Sequence, residues 1–122
     1  MPKILYIDDS DDNRLLVRRI LGAEGIDVTD VDNARDGIHM ATSNPPDLIL
    51  MDIAMPDMDG LTATGQIRKI PEIADVRIIA LTANAMQGDR ETYIAAGCDG
   101  YISKPIDVDT FVDEINKYLH KG

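Results

Sequence analysis

The residues of this chain that could do chemistry are few, and their positions are patterned. Two adjacent aspartates, Asp8 and Asp9, follow the apolar run Ile4 to Ile7, and a third, Asp52, ends the run Leu48 to Met51. Thr82 ends a run that closes on Ala80 and Leu81, and Lys104 follows the run Gly100 to Ser103. Three carboxylates brought together repel one another unless a cation lies between them. Hard oxygen ligands, few in number and with room for water and a phosphoryl oxygen, suit Mg²⁺ best. Lys104 supplies a compact positive charge and Thr82 a hydroxyl donor, the two things a bound phosphoryl group still lacks. The set describes a phosphoryl-transfer site. A carboxylate is the nucleophile it offers, giving an acyl phosphate, and Asp52 is the candidate because it stands alone on its strand.

Each member of the set has a plainer reading when taken singly. Aspartates cluster at helix starts, so "DDSDDN" at 8 to 13 also fits a capped helix. The same stretch opens like a calcium loop, but Arg14 stands where the turn glycine belongs and Ile20 where the closing glutamate belongs, which excludes calcium. A lysine before proline is commonly a solvated loop residue, and Thr82 an ordinary strand end. Their weight lies in convergence. Cys98 has no partner for a disulfide and no nucleophile pattern around it, and reads as a small structural residue. His39 and His120 have no partner at ligand spacing and read as surface helix residues.

The elements that must position these groups alternate five times between a short β-type run and an amphipathic helical segment, an α/β pattern. The first strand covers Ile4 to Ile7. A helix follows from about Asp11, with Leu16, Ile20 and Ala23 on one face and Gly25 as its stop. The second strand, Val28 to Val31, alternates with Asp27, Thr29 and Asp30, as expected at a sheet edge. Asn33 caps a helix that "NPP" at 44 to 46 terminates. After the third strand, Asp59 and Gly60 form a turn and cap for a helix to about Lys69. The fourth strand runs from Val76 to Leu81. The helix after it, from Asn84 to Ala96, contains Gly88, which lowers its stability by about 1 kcal/mol relative to alanine. The last helix places Val108, Phe111, Val112, Ile115 and Leu119 at core-facing spacing.

Strands as uniformly apolar as the third form parallel sheets covered on both faces, and such sheets bind ligands beyond the carboxyl ends of their strands. Asp52 is therefore expected at an exposed rim of the sheet, with the apolar run as its pedestal. At 122 residues the chain fits one domain, 1 to 122, and no output domain is expected. Its 22 acidic against 12 basic residues give a formal net charge of -10, which repels phosphate backbones and anionic lipid headgroups. Neither nucleic acid nor membrane is an expected partner. With no apolar run near the roughly 18 residues of a membrane span, a soluble, cytoplasmic protein is expected.

These residues also carry a resemblance. The acidic pair Asp8 and Asp9, "MDIAMPDMDG" around Asp52, "LTA" at 81 to 83 and "KP" at 104 and 105 stand in the order and approximate spacing of one family. Over essentially its full length the chain resembles the receiver domain of bacterial two-component response regulators. The resemblance implies a doubly wound, five-stranded parallel sheet in strand order 2-1-3-4-5, a flavodoxin-like three-layer sandwich. It implies that a histidine kinase or histidine phosphotransfer protein donates a phosphoryl group to Asp52. Asp9, Asp52 and the main-chain carbonyl of Ala54 would hold Mg²⁺, or Mn²⁺ in its place, with Asp8 assisting. Lys104 would contact the phosphoryl group, and the Lys104 to Pro105 peptide would be cis. Thr82 would move toward the phosphate and Tyr101 turn inward as a switch, read out by the fourth helix, fifth strand and fifth helix. The docking face it implies includes Leu15, Arg18, Arg19 and Ile106. At the two positions that tune lifetime, Ala54 and Asn84, neutral or small groups imply slow self-hydrolysis, since Ala54 cannot orient a water. The chain could also be the receiver segment of a hybrid kinase. An aspartyl-phosphate phosphatase of the haloacid dehalogenase-like type needs D-x-D-x-T/V, which Asn13 breaks. A flavin site fails because aspartates follow the first strand where a phosphate loop belongs.

Overall fold

Short polar residues start the helices and apolar runs make the strands. The computed structural model describes residues 2–83 and 87–120. In chain order the elements are β1 (Lys3–Ile7), α1 (Asp11–Gly22), β2 (Asp27–Val31), α2 (Ala34–Ser43), β3 (Leu48–Asp52), α3 (Gly60–Ile67), β4 (Arg77–Thr82), α4 (Gln87–Ala95), β5 (Gly100–Ser103) and α5 (Val108–Leu119). Ser10, Asn33, Asp59 and Asp107 are the N-caps of α1, α2, α3 and α5, each accepting a backbone N–H of the first turn on its side chain. Asn84, where the sequence placed the start of the fourth helix, lies outside the described residues.

The strands form one parallel sheet in the order β2-β1-β3-β4-β5, the expected doubly wound arrangement. Parallel neighbours need crossover connections, and α1, α2, α3 and α4 supply them, while α5 follows the last strand. Alternation along the strands divides the core in two. Leu5, Ile7, Ile49, Met51, Ile78 and Ala80 meet α2, α3 and α4 through Ala34, Ala41, Ala63, Ile67 and Tyr93. Ile4, Tyr6, Leu48, Leu50, Ile79, Leu81 and Ile102 meet α1 and α5 through Val17, Leu21, Phe111 and Ile115. β3 is buried along its whole length, whereas no residue of edge strand β2 is fully buried. Cys98 lies in the first cluster, a structural thiol whose acidity burial suppresses.

Two side-chain placements differ from the sequence expectation. On α1 the buried face is Val17 and Leu21, flanked by half-buried Leu16 and Ile20, while Ala23 lies past the last helical residue and is exposed. On α5, Val108 is 58% exposed: it sits in the first turn, beyond the cluster that receives Phe111 and Ile115.

Candidate functional site

The same alternation that divides the core aims the ends of the strands. Tyr6, Leu50 and Ile102 face the α1 and α5 layer, and two residues beyond each come Asp8, Asp52 and Lys104. Lys104 Nζ stands 2.9 Å from Asp52 Oδ1 and 3.7 Å from Asp8 Oδ2. One carboxylate oxygen from each of Asp8, Asp9 and Asp52 lies within 4.8 Å of the other two. The four charged residues singled out in the sequence thus converge.

One expectation is corrected: Asp52 is 2% exposed, so it is buried and not presented on an open rim. The chain after it closes over the strand end. Ala54 N–H donates to Asp52 Oδ1 at 3.3 Å, and Gly60 N–H donates to the Ile53 carbonyl at 2.9 Å. Gly60 is needed there, because a Cβ would overlap the Asp52 carbonyl oxygen and lie 3.0 Å from Ile53 Cα. The carboxylate survives burial because it keeps a hydrogen-bonded cation. Burial nonetheless pushes the Asp52 carboxyl up to about 6; the Lys104 hydrogen bond works against that rise and the Asp8 charge adds to it.

Asp8 is also buried, and its bonds fix it. Ser10 N–H donates to Oδ1 at 2.9 Å, while Tyr6 hydroxyl donates to Oδ2 and Asn13 Nδ2 reaches the same oxygen at 3.4 Å. Arg14 Nη1 holds the Asp8 carbonyl at 2.8 Å while its Nε binds Asp30 at 3.0 Å, tying the turn after β1 to β2. Asp9, by contrast, is exposed. An all-oxygen set with two fixed carboxylates and one reaching into solvent is the donor chemistry a hard divalent ion requires.

Thr82 is buried at the end of β4, but its hydroxyl is paired with the Tyr93 hydroxyl of α4 at 2.8 Å. Its carbonyl accepts Lys104 N–H at 2.7 Å, linking β4 to the lysine. The Tyr101 ring is half-buried, 6.1 Å from the Tyr93 ring and tilted by 55°. The Lys104–Pro105 peptide is cis. On α1, Leu15 is 40% exposed, and Arg18 reaches Asp30 at 3.3 Å.

Four contributors escaped the sequence: Tyr6, Arg14, Tyr93 and Asp57, whose carboxylate accepts Ala34 N–H at 3.1 Å and so fastens the loop after β3 to the start of α2. A spacing of two residues from Asp8 was the available signal for Tyr6. The others meet their partners only through the fold.

Known proteins place this geometry. The family model described as response regulator receiver domain matches residues 4–116. The chain is 38% identical over 120 residues to the polar-differentiation response regulator DivK of Brucella anthropi, covering 98% of each. Among solved structures it matches the receiver domain of sensor histidine kinase PA1611 from Pseudomonas aeruginosa, described with a magnesium ion coordinated in its active site cleft, with a TM-score of 0.88, 34% identity and 98% of each chain covered. It also matches the chemotaxis response regulator CheY4 of Vibrio cholerae, with a TM-score of 0.92, 25% identity, and 97% of this chain and 98% of that one covered. The protein belongs to the response regulator receiver domain family.

Proposed function

We propose that Asp52 is the phosphoacceptor and that a histidine kinase or histidine phosphotransfer protein is the donor. The observation that carries this is the buried Asp52 carboxylate bonded to Lys104 and clustered with Asp8 and Asp9. An Asp52 oxygen attacks the phosphorus of a phosphohistidine; a P–O bond forms as the P–N bond breaks, and the imidazole leaves with that electron pair and takes up a proton. Lys104 turns its ammonium from the Asp52 carboxylate to a phosphoryl oxygen of the product. Asp8, Asp9, Asp52 and the Ala54 carbonyl would hold Mg²⁺, or Mn²⁺. When bound, such an ion offsets the charge of the carboxylates and of the phosphoryl oxygens. The chain supplies the residues for its own phosphorylation and dephosphorylation, with the phosphoryl donor and then water as the co-reactants.

Thr82 is the switch: its hydroxyl leaves Tyr93 for the phosphoryl group, and Tyr101, packed against Tyr93, moves inward with it. The pairing of the three side chains supports this order of events. Downstream partners are proteins. No described helix is long and apolar enough to cross a membrane, and we place the protein in the cytoplasm.

Intact mass after incubation with acetyl phosphate and Mg²⁺ tests the proposal. One added phosphoryl group is expected in the native protein and none in Asp52→Asn or with excess EDTA. A gain of equal size in Asp52→Asn would refute the assignment. Lifetime follows from the same measurement: the mass gain should decay more slowly in the native protein than in Ala54→Asn.

A further inference from the structure

We propose that Tyr6 is a positioning residue for the acidic site: its hydroxyl anchors Asp8 Oδ2, so that Lys104 stays with Asp52 and Asp8 stays available to the cation. The inference rests on the Mg²⁺ assignment above and extends it to a residue inside the core.

Tyr6 is fully buried, and among the buried members of the α1 and α5 cluster it alone carries a polar side-chain atom. A buried phenol hydroxyl is costly unless bonded, and an aliphatic side chain would fill the position without that cost. Its bond goes to the one residue of that neighbourhood with a role in the site, Asp8. The other groups around Asp8 Oδ2 are too distant to replace it. Asn13 Nδ2 is at 3.4 Å, a poor hydrogen bond, and Lys104 Nζ is at 3.7 Å, outside hydrogen-bond range. Ser10 N–H holds only the opposite oxygen, Oδ1.

Lys104 is thus offered two carboxylates and takes Asp52, at 2.9 Å against 3.7 Å for Asp8. Without the Tyr6 hydroxyl, Asp8 Oδ2 gains its missing partner by closing on Lys104. That contact competes with a cation for Asp8 and draws the ammonium from Asp52. Groups that orient metal ligands typically account for 10- to 100-fold in affinity, and the lower end applies to one hydrogen bond, about tenfold.

The test is Mg²⁺ titration calorimetry on native protein, Tyr6→Phe, Lys104→Met and the double variant, each stripped of metal and checked for its fold by circular dichroism. Tyr6→Phe should weaken Mg²⁺ binding about tenfold in the native background. In the Lys104→Met background, where Asp8 has no ammonium to close on, the loss should shrink to about threefold or less. An unchanged affinity in Tyr6→Phe overturns the inference, and so does an equal loss in both backgrounds, which is what a packing role alone would give. Should Tyr6→Phe fail to fold, Tyr6→Met, flexible enough to fill the space without a hydroxyl, takes its place in the cycle. Absence of Mg²⁺ binding by the native protein would overturn the metal assignment and this inference with it; native binding with unchanged Tyr6→Phe overturns this inference alone.

Discussion

The two edges of the sheet handle charge in opposite ways. At the edge where β4 and β5 begin, Arg68, the C-cap of α3, donates to the Gly97 carbonyl at 3.0 and 2.7 Å, to Ala74 O at 2.9 Å, to Val76 O at 2.5 Å and to Asp99 Oδ2 at 3.0 Å. Asp99 Oδ2 also accepts Ile78 N–H at 2.8 Å. Every arm of that guanidinium is used, and the planar fork suits it to joining several backbone oxygens at once. At the edge where strands end, three carboxylates face the single ammonium of Lys104. The first cluster is closed and balanced, as a structural tie should be. The second is left with excess negative charge, which marks it as a place where a cation and a phosphoryl group complete the arrangement.

The largest effect should come from breaking the balanced edge. Arg68→Ala strips several partly buried carbonyls of their donor, and urea unfolding should show a loss of about 3 kcal/mol. The folded variant should still take up a phosphoryl group, because Arg68 touches nothing at the opposite edge. Loss of phosphorylation in folded Arg68→Ala would blur the division between the two edges. The unbalanced edge should respond to the ion instead. At Mg²⁺ ten times its dissociation constant, stability should rise by about 1.4 kcal/mol, read from the urea midpoint. Asp9→Asn, which removes the exposed ligand, should lose most of that gain. The smallest expected effect lies beside the site: Asp57→Ala uncaps α2 from the loop after β3 and should lower stability by about 1 kcal/mol. Mg²⁺ should bind that variant less tightly, since the loop carrying Ala54 loses its tie.

Much of this was readable in the sequence, for a definite reason. A parallel sheet gathers the carboxyl ends of its strands, so residues far apart in the chain, such as Asp8, Asp52 and Lys104, could be brought together from strand position alone. Two helix starts were equally legible, because Asn33 and Asp59 announce their caps chemically, whereas Ser10 and Asp107 emerged as caps only in the structure. The depth of Asp52 was not. A strand end reads as exposed until one knows that the loop through Ala54 and Gly60 folds back over it. Val108 was misplaced because helical spacing says which face a residue shares and nothing about where the opposing layer stops. Arg68 gave no signal at all, since its partners lie on segments that only the finished fold brings near.

The most direct measurement is urea unfolding of native protein and Asp52→Asn in EDTA, at pH 8 and at pH 5. Burial raises the folded Asp52 carboxyl from its ordinary 3.8 to about 6, so its ionised form is disfavoured in the native state. The stability tied to its proton is present below the ordinary value and lost as pH rises through about 6. Asp52→Asn should therefore be the more stable protein at pH 8, by on the order of 2 to 3 kcal/mol, with the advantage roughly halved at pH 5. A variant no more stable than the native protein at pH 8 would contradict the account, for it would mean that the empty site is already neutralised.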